Sequence, residues 1–599
     1  MVEFLIINMS AETKFIKTHF AETGKPIRSR ADLEGALRER GTDVFPLLNN
    51  GNQLIIEGKI GQTGVVLKTD EGFVAASLPH PRTRSSVVDW ERRVVEFGGE
   101  VSDKQLETAL EIPVGLDEAT MYSRKMIDAF KSKNLSYLSQ SFNGAGAIGS
   151  EVEAWVINPE TGDLVLISGG ELQAGLWELK LAPISNLDDF LRERANLILS
   201  RTKNYPNYLI IDTSVLPTSK PNDIKVNTGD DLGPYVYAIQ NFLYQNYFNF
   251  SDPLAISLMD NIAEKFGYSS YQEMHSALGN MAYWVMAASH ASVGLHHLQT
   301  GNKALWVPAE QAIAVSDIFN SDLATIAEFL MFSTPVIFGQ TPKLVDENGQ
   351  ELWPSDYRAI LRYLMDTTNP GPFIGSVEEM YKRITYGIVN GLTHTMDRSS
   401  YLTKVNDRIV PVAHGRVRNR ISSTEPQKKT GRIEYTGCSA SPSVIDEMGR
   451  NCFLQVLMIA ALEALSNGQM PQDYFKEQFP SLSSWERQKH LTQTASLFGF
   501  NHPEVSALID EGLRFLSYME KNYPALGQQV EIARRRIQNL RNQAAYSLEE
   551  YLANPTGPIA EVIKNEIRNG TEPLELIRRI HNYEIRLAEK LLQNPFYWL

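Results

Sequence analysis

Carboxylates set inside apolar, strand-like runs constrain this chain more than any other feature of it. Three short stretches carry them: Gly149-Ser-Glu-Val-Glu-Ala-Trp-Val156, Trp177-Glu-Leu-Lys-Leu-Ala-Pro183 and Arg432-Ile-Glu-Tyr-Thr-Gly437. The segment Gly294-Leu-His-His297 lies between the second and third. A lone carboxylate in such a setting costs, roughly, several kcal/mol unless it is paired, neutralised or metal-bound. One site gathering Glu151, Glu153, Glu178, His296 and Glu434 accounts for all of them.

Residues two apart on a strand share a face, so Glu151 and Glu153 project the same way, about 7 Å apart, and favour a cation beside them. A solvated edge strand would also tolerate both. The flanking Val152, Ala154, Val156, Trp155 and Ile157 point instead to a strand buried on both sides. Glu178 equally fits a surface pair with Lys180, and His296 a satisfied core histidine. Oxygen ligands with at most one imidazole suit Mg²⁺ or Mn²⁺ better than zinc. Upstream of Glu434, Arg416, Arg418 and Arg420 alternate on one face of an extended segment. Lys428 and Lys429 follow in a loop. Such forks suit bidentate phosphate contacts, although a solvated basic loop has the same composition.

Several chemistries are excluded or demoted. The formal charge of −14 argues against a general nucleic-acid binder. Cys438 and Cys452 are too few for a disulfide framework and form no zinc pattern. Neither a Walker A motif nor a kinase signature set is present. Gly144-Ala-Gly-Ala-Ile-Gly149 matches the dinucleotide fingerprint but runs into a strand where that fingerprint needs a helix. The opening Met1-Val-Glu-Phe-Leu-Ile-Ile-Asn8 lacks the basic region and apolar length of a signal peptide, so a reducing cytoplasm is expected.

The 599 residues, 43% hydrophobic and 21% charged, divide into three expected units. Residues 1–120 read as a small α+β unit, with a meander through Leu54–Glu57, Val65–Lys68 and Phe73–Ala76 and a helix from Asp117 to Lys131 at its end. Residues 121–468 mix strands and helices: a hairpin of Glu151–Ile157 and Leu164–Ile167 about the turn Asn158–Asp163, then helices over Met281–Ala288, Leu323–Phe338 and Asn451–Ser466. Residues 469–599 read as helical. There Val530, Ala533, Ile537 and Leu540 form a buried stripe, with Arg534, Arg535, Arg536 and Arg541 on the other face.

Taken in order, these segments resemble the glutamate–cysteine ligases and related carboxylate–amine ligases. Gly149-Ser-Glu-Val-Glu153 resembles their Gly-x-Glu-x-Glu strand, Trp177–Pro183 their second acidic strand, and Gly294-Leu-His296 their Gly-x-His segment. Phe332-Ser-Thr-Pro-Val-Ile-Phe-Gly339 echoes their Ser-Pro segment. Arg432-Ile-Glu434, with Ser441-Pro-Ser-Val-Ile-Asp-Glu447 and the apolar helix behind it, resembles their last metal strand.

The resemblance implies an α+β fold with a curved, mainly antiparallel sheet backed by helices, similar to glutamine synthetase and guanido kinases. It implies Mg²⁺ (or Mn²⁺) and ATP as cofactors, held by Glu151, Glu153, Glu178, His296 and Glu434 for the metal. Arg416, Arg418, Arg420 and Lys428 would hold the nucleotide, and Arg416, Arg418 and Arg432 the transferring group. It also implies an acyl-phosphate route from an amino acid, glutamate first among them, and an amine acceptor to an amide. A phosphotransferase on the same fold and an inactive binding homologue are the alternatives. Many members carry an arginine two residues beyond the last metal glutamate; here that position is Thr436.

Overall fold

The computed structural model describes residues 43–46, 53–57, 62–69, 72–79, 114–131, 148–165, 176–184, 186–218, 253–278, 287–294, 297–298, 304–305, 308–336, 344–345, 349, 351–362, 373–377, 402–405, 408–411, 417–420 and 432–599. The expected meander is present as four antiparallel strands, Asp43–Pro46, Gln53–Glu57, Gln62–Thr69 and Gly72–Pro79, paired in sequence order. The fold is mixed helix and sheet, and its centre is a six-stranded sheet in which every pairing is antiparallel. Its strands are β1 (Ile148–Ile157), β2 (Leu176–Ile184), β3 (Leu209–Ile211), β4 (Ser289–Gly294), β5 (Val417–Arg420) and β6 (Arg432–Tyr435). The order is β5-β6-β4-β1-β2, with β3 also paired to β1.

Helix α1 (Leu116–Lys131) continues through residue 120, where the first expected boundary falls. It is bound to the rest of the molecule by Arg124 Nε donating to the Ser466 carbonyl at 2.7 Å and by Gln311 Nε2 donating to Ser123 Oγ at 3.0 Å. Helix α2 (Leu187–Asn204) starts where the Asn186 side chain accepts from the N–H groups of Asp188 and Asp189. It stops ahead of Pro206, which disfavours helical backbone at Tyr205. Further along the chain lie helix α3 (Ala309–Phe319) and helix α4 (Val444–Ser466).

Ser443 caps α4 by accepting from Asp446 N, Asp446 and Glu447 favour its positive end, and Gly468 at φ +73° lies just past its stop. Every residue of α4 is buried. Among the described residues it is the one helix long and apolar enough to span a membrane, and its place is the core instead. Behind it come α5 (Pro503–Asn522), α6 (Gly527–Asn539) and α7 (Pro573–Gln593). One hydrophobic cluster draws its members from residues as far apart as Val114 and Leu591, so residues beyond 469 share the core of the sheet.

Several expectations are corrected. The Asn158–Asp163 turn forms, with Gly162 at φ +76° as such a turn requires; Leu164 bridges to Ile157 and Val165 donates its N–H to the Val156 carbonyl at 2.9 Å, while Leu166 and Ile167 lie outside the described residues. The antiparallel partners of β1 are β2, β3 and β4. The helix expected over Leu323–Phe338 is only Thr325–Phe329. Beyond it Pro335 lacks an N–H and turns its neighbour from helix, while Ser333 donates its N–H to Asp356 Oδ2 at 2.8 Å and its hydroxyl to the Ala440 carbonyl at 2.7 Å. Arg536 is not on the solvated face of α6. It is 2% exposed and donates from Nε and Nη2 to Asp446 Oδ1 at 2.8 and 2.5 Å. Of Met281–Ala288, only Ala287 and Ala288 lie in the described residues, and Ala288 bridges to Ser439.

Candidate metal centre

Strand register decides which side chains meet. Glu151 stands opposite His290 of β4 and Lys180 of β2, and Glu434 stands opposite Ser292, two residues along β4 from His290. Opposed residues share a face, and so do residues two apart, so Glu151, Glu153, His290 and Glu434 all lie on one side of the sheet. The other side presents Val152, Ala291, Val293, Ile433 and Tyr435, none more than 1% exposed, and Tyr435 donates its hydroxyl to the Ala324 carbonyl at 3.0 Å. The helices thus take one face and the acidic groups the other. On β1 the site face is closed again beyond the glutamates by Trp155 and Ile157, as expected for a strand buried on both sides.

Glu151, His290 and Glu434 form a compact cluster in which one ligand-type atom from each lies within 4.8 Å of the others. His290 Nδ1 is 3.3 Å from Glu434 Oε1 and 3.9 Å from Glu151 Oε2, with side chains 11%, 0% and 14% exposed respectively. Two carboxylates that close repel, and a cation or a charged imidazole between them relieves it. Two oxygen donors and one imidazole fit a hard divalent ion of the Mg²⁺ or Mn²⁺ kind.

The remaining expected ligands divide differently. Glu153 shares the face of Glu151, yet its Oε2 accepts the Ala288 N–H at 2.5 Å, so one of its oxygens is committed to the edge of β4. Glu178 is registered opposite Glu153 in β2. His296 lies outside the described residues, as do Arg416 and Lys428. Arg418 of β5 is registered opposite Glu434, and Arg420 opposite Arg432 of β6. By strand parity all three arginine positions fall on the face that carries Glu434.

His290 is the member of the cluster that sequence reasoning missed. Its signal was present: in Ser289-His-Ala-Ser-Val-Gly294 the polar His290 and Ser292 alternate with Ala291 and Val293, the pattern of a strand with one apolar face. Cys438, four residues past Glu434, is wholly buried, donates Sγ–H to the Ala327 carbonyl at 3.3 Å, and has its thiol pushed up to about 11 by burial. It is an inert structural thiol.

No protein-family model and no curated relative matches the chain. Among solved structures, a bifunctional glutathione synthetase from Pasteurella multocida aligns at a TM-score of 0.46 with 12% identity, over 77% of this chain and 55% of its own. A glutamate–cysteine ligase from Francisella tularensis, solved with AMP, aligns at 0.41 with 11% identity, over 75% of this chain and 92% of its own. This chain therefore spans about half of the first of these proteins, 55% of its length. Likenesses this distant do not bear on which reaction the chain performs.

Proposed function

We propose that this chain is an ATP-dependent carboxylate–amine ligase that forms an amide, first of all a γ-glutamyl amide, through an acyl-phosphate. The observation that carries the reading is the Glu151–His290–Glu434 cluster on one face of an antiparallel sheet, with Arg418, Arg420 and Arg432 registered beside it. In this reading Glu151, His290 and Glu434 hold Mg²⁺ or Mn²⁺, with Glu153, Glu178 and His296 as further ligands. When bound, the cation neutralises charge on the nucleotide phosphates. Arg416, Arg418, Arg420 and Lys428 orient the nucleotide, and Arg432 with Arg416 and Arg418 stabilises the transferring phosphoryl group by position and charge.

A substrate carboxylate oxygen attacks the γ-phosphorus and ADP leaves. The amine then attacks the acyl carbon, loses a proton, and phosphate leaves. No protein nucleophile is needed, in keeping with the buried, protonated Cys438. The partners are an amino acid and an amine, in the cytoplasm, with no nucleic acid or membrane involved. The three-part division at 120 and 468 belongs to the same proposal.

The test is ADP release across amino acids and amines, with products weighed. A ligase releases ADP only with acid and amine together and yields a product lighter than their sum by a water. Release with one substrate alone identifies a phosphotransferase, and no release under any combination identifies a binding protein. Oxygen-18 in the substrate carboxylate should appear in free phosphate; label in AMP would rule out attack at the γ-phosphorus.

A further inference from the structure

The cation cluster is held from behind. In a strand, neighbouring residues point to opposite faces. The residue before Glu151 is Ser150, and the residue before His290 is Ser289; both point to the helix side and are 1% and 0% exposed. Ser150 Oγ donates to Glu447 Oε1 of α4 and lies 3.4 Å from the His290 carbonyl oxygen. Arg450, one helical turn along α4, donates from Nη1 to the Ser289 carbonyl at 2.8 Å and to Ser289 Oγ at 2.9 Å. Arg450 Nη2 is 3.6 Å from Glu447 Oε1, and Glu447 Oε2 in turn accepts from Arg194 Nε at 2.9 Å. One buried ion pair on one helix therefore grips two of the three strands that carry the cluster, β1 and β4, each at the position next to its candidate ligand.

We propose that Glu447 and Arg450 are positioning residues that fix the separation of Glu151 and His290, and through it the affinity of the site for a divalent cation. This rests on the cluster being a cation site. A buried ion pair is poor evidence for stability, because well-packed apolar residues of similar volume serve stability as well or better. What apolar residues cannot supply is direction. Glu447 and Arg450 bond to a specific hydroxyl and a specific carbonyl, whereas Mg²⁺ demands near-ideal ligand geometry. Partners of this outer kind are typically worth about 10–100-fold in metal affinity.

The experiment is Mn²⁺ binding to the full chain, read by the spin-resonance signal of free Mn²⁺, beside an unfolding curve for each variant. The double variant Glu447→Leu with Arg450→Met should keep its fold and bind Mn²⁺ about 10-fold or more weakly. Ser150→Ala, which removes one oxygen and leaves the ion pair in place, should weaken binding several-fold with an unchanged fold. Glu447→Gln, which retains an acceptor for Ser150, should restore most of the affinity lost in the double variant. Glu511→Ala serves as the control: its carboxylate holds Ser481, remote from the metal strands, so it should cost stability and leave Mn²⁺ affinity alone.

Folded Ser150→Ala protein with wild-type affinity overturns the positioning role, even if the double variant fails to fold. Failure of the cation-site reading looks different: the wild type itself would show no Mn²⁺ binding that Glu151→Gln removes.

Discussion

Two buried glycines offer a sharp test of how tightly the helices behind the sheet are pressed together. A Cβ placed on Gly449 of α4 would lie 2.7 Å from Arg536 Cγ and 2.8 Å from Arg536 Cβ. Cβ moves only with the backbone, so α6 itself must shift. The guanidinium is also pinned, by Asp446, by the Pro555 carbonyl at 2.9 Å and by the Tyr551 hydroxyl at 2.8 Å. Overpacking of this kind costs about 1–3 kcal/mol, and with no flexible atom to yield the upper end applies. Alanine returns about 1 kcal/mol of helix propensity, leaving Gly449→Ala about 2 kcal/mol less stable.

Gly512 of α5 makes an even closer approach, 2.5 Å, but to Ile326 Cδ1, the far end of a side chain, with the next atom at 3.9 Å. Turning that methyl away costs about 0.5–1.5 kcal/mol, which the propensity gain of about 1 kcal/mol offsets. Gly512→Ala should therefore be neutral within about 0.5 kcal/mol. Urea unfolding followed by tryptophan fluorescence measures both. If Gly512→Ala costs as much as Gly449→Ala, raw distance matters more than what the struck atom can do, and the reasoning fails.

Glu434→Gln should leave the fold intact and weaken Mn²⁺ binding about 10-fold or more, since it removes one of two anionic ligands from a three-residue cluster; calorimetric titration returning the wild-type affinity would remove Glu434 from the site. Cys438→Ser should keep most activity and stability, because serine can still donate to the Ala327 carbonyl, and the native thiol should resist alkylation at pH 8, well below the value near 11 to which burial raises it; rapid labelling of the folded protein would contradict both. Burial holds the His581 imidazole below its ordinary value of 6.5. The unfolded chain therefore takes up this proton first as pH falls, and stability should drop from about pH 6.5 downward, with no contribution above it. His581→Gln should flatten that part of the profile, and parallel curves for variant and wild type would show that the group does not titrate as described.

Glu151 and Glu434 were legible because a carboxylate among Val, Ala, Ile and Tyr is anomalous wherever the strand sits. Which partners they meet was not. The register that sets Glu151 beside His290 joins segments far apart in the chain, and nothing local encodes it. The Gly294-Leu-His296 motif drew attention six residues downstream, past the alternating strand that carries His290. Arg536 was misplaced although it follows Ala533 by three residues, at a buried spacing on α6, because its charge outweighed its position. The Leu323–Phe338 run carried the signal of its own failure in Ser333, Thr334 and Pro335. Helix α4 was read from composition over Asn451–Ser466, since a uniformly apolar run has only the core to go to, but its polar first turns from Val444 gave no such signal.

The carboxylate of Glu584, on α7, accepts from Arg201 and from the Asp212 N–H at 2.8 Å, across 372 residues of chain. Arg201 and Asp212 leave the ribosome long before it does. At about 5–20 residues per second the wait is roughly 20–70 s, during which buried Arg201 of α2 lacks its second acidic partner. Strand β3 is thus made early and sealed late, and chains halted before residue 573 should remain open to protease at β3 when released chains are not. A protein in which α7 locks a strand made some 372 residues earlier leaves that strand unsealed until α7 has emerged, and through that interval the exposed edge falls to chaperones to guard.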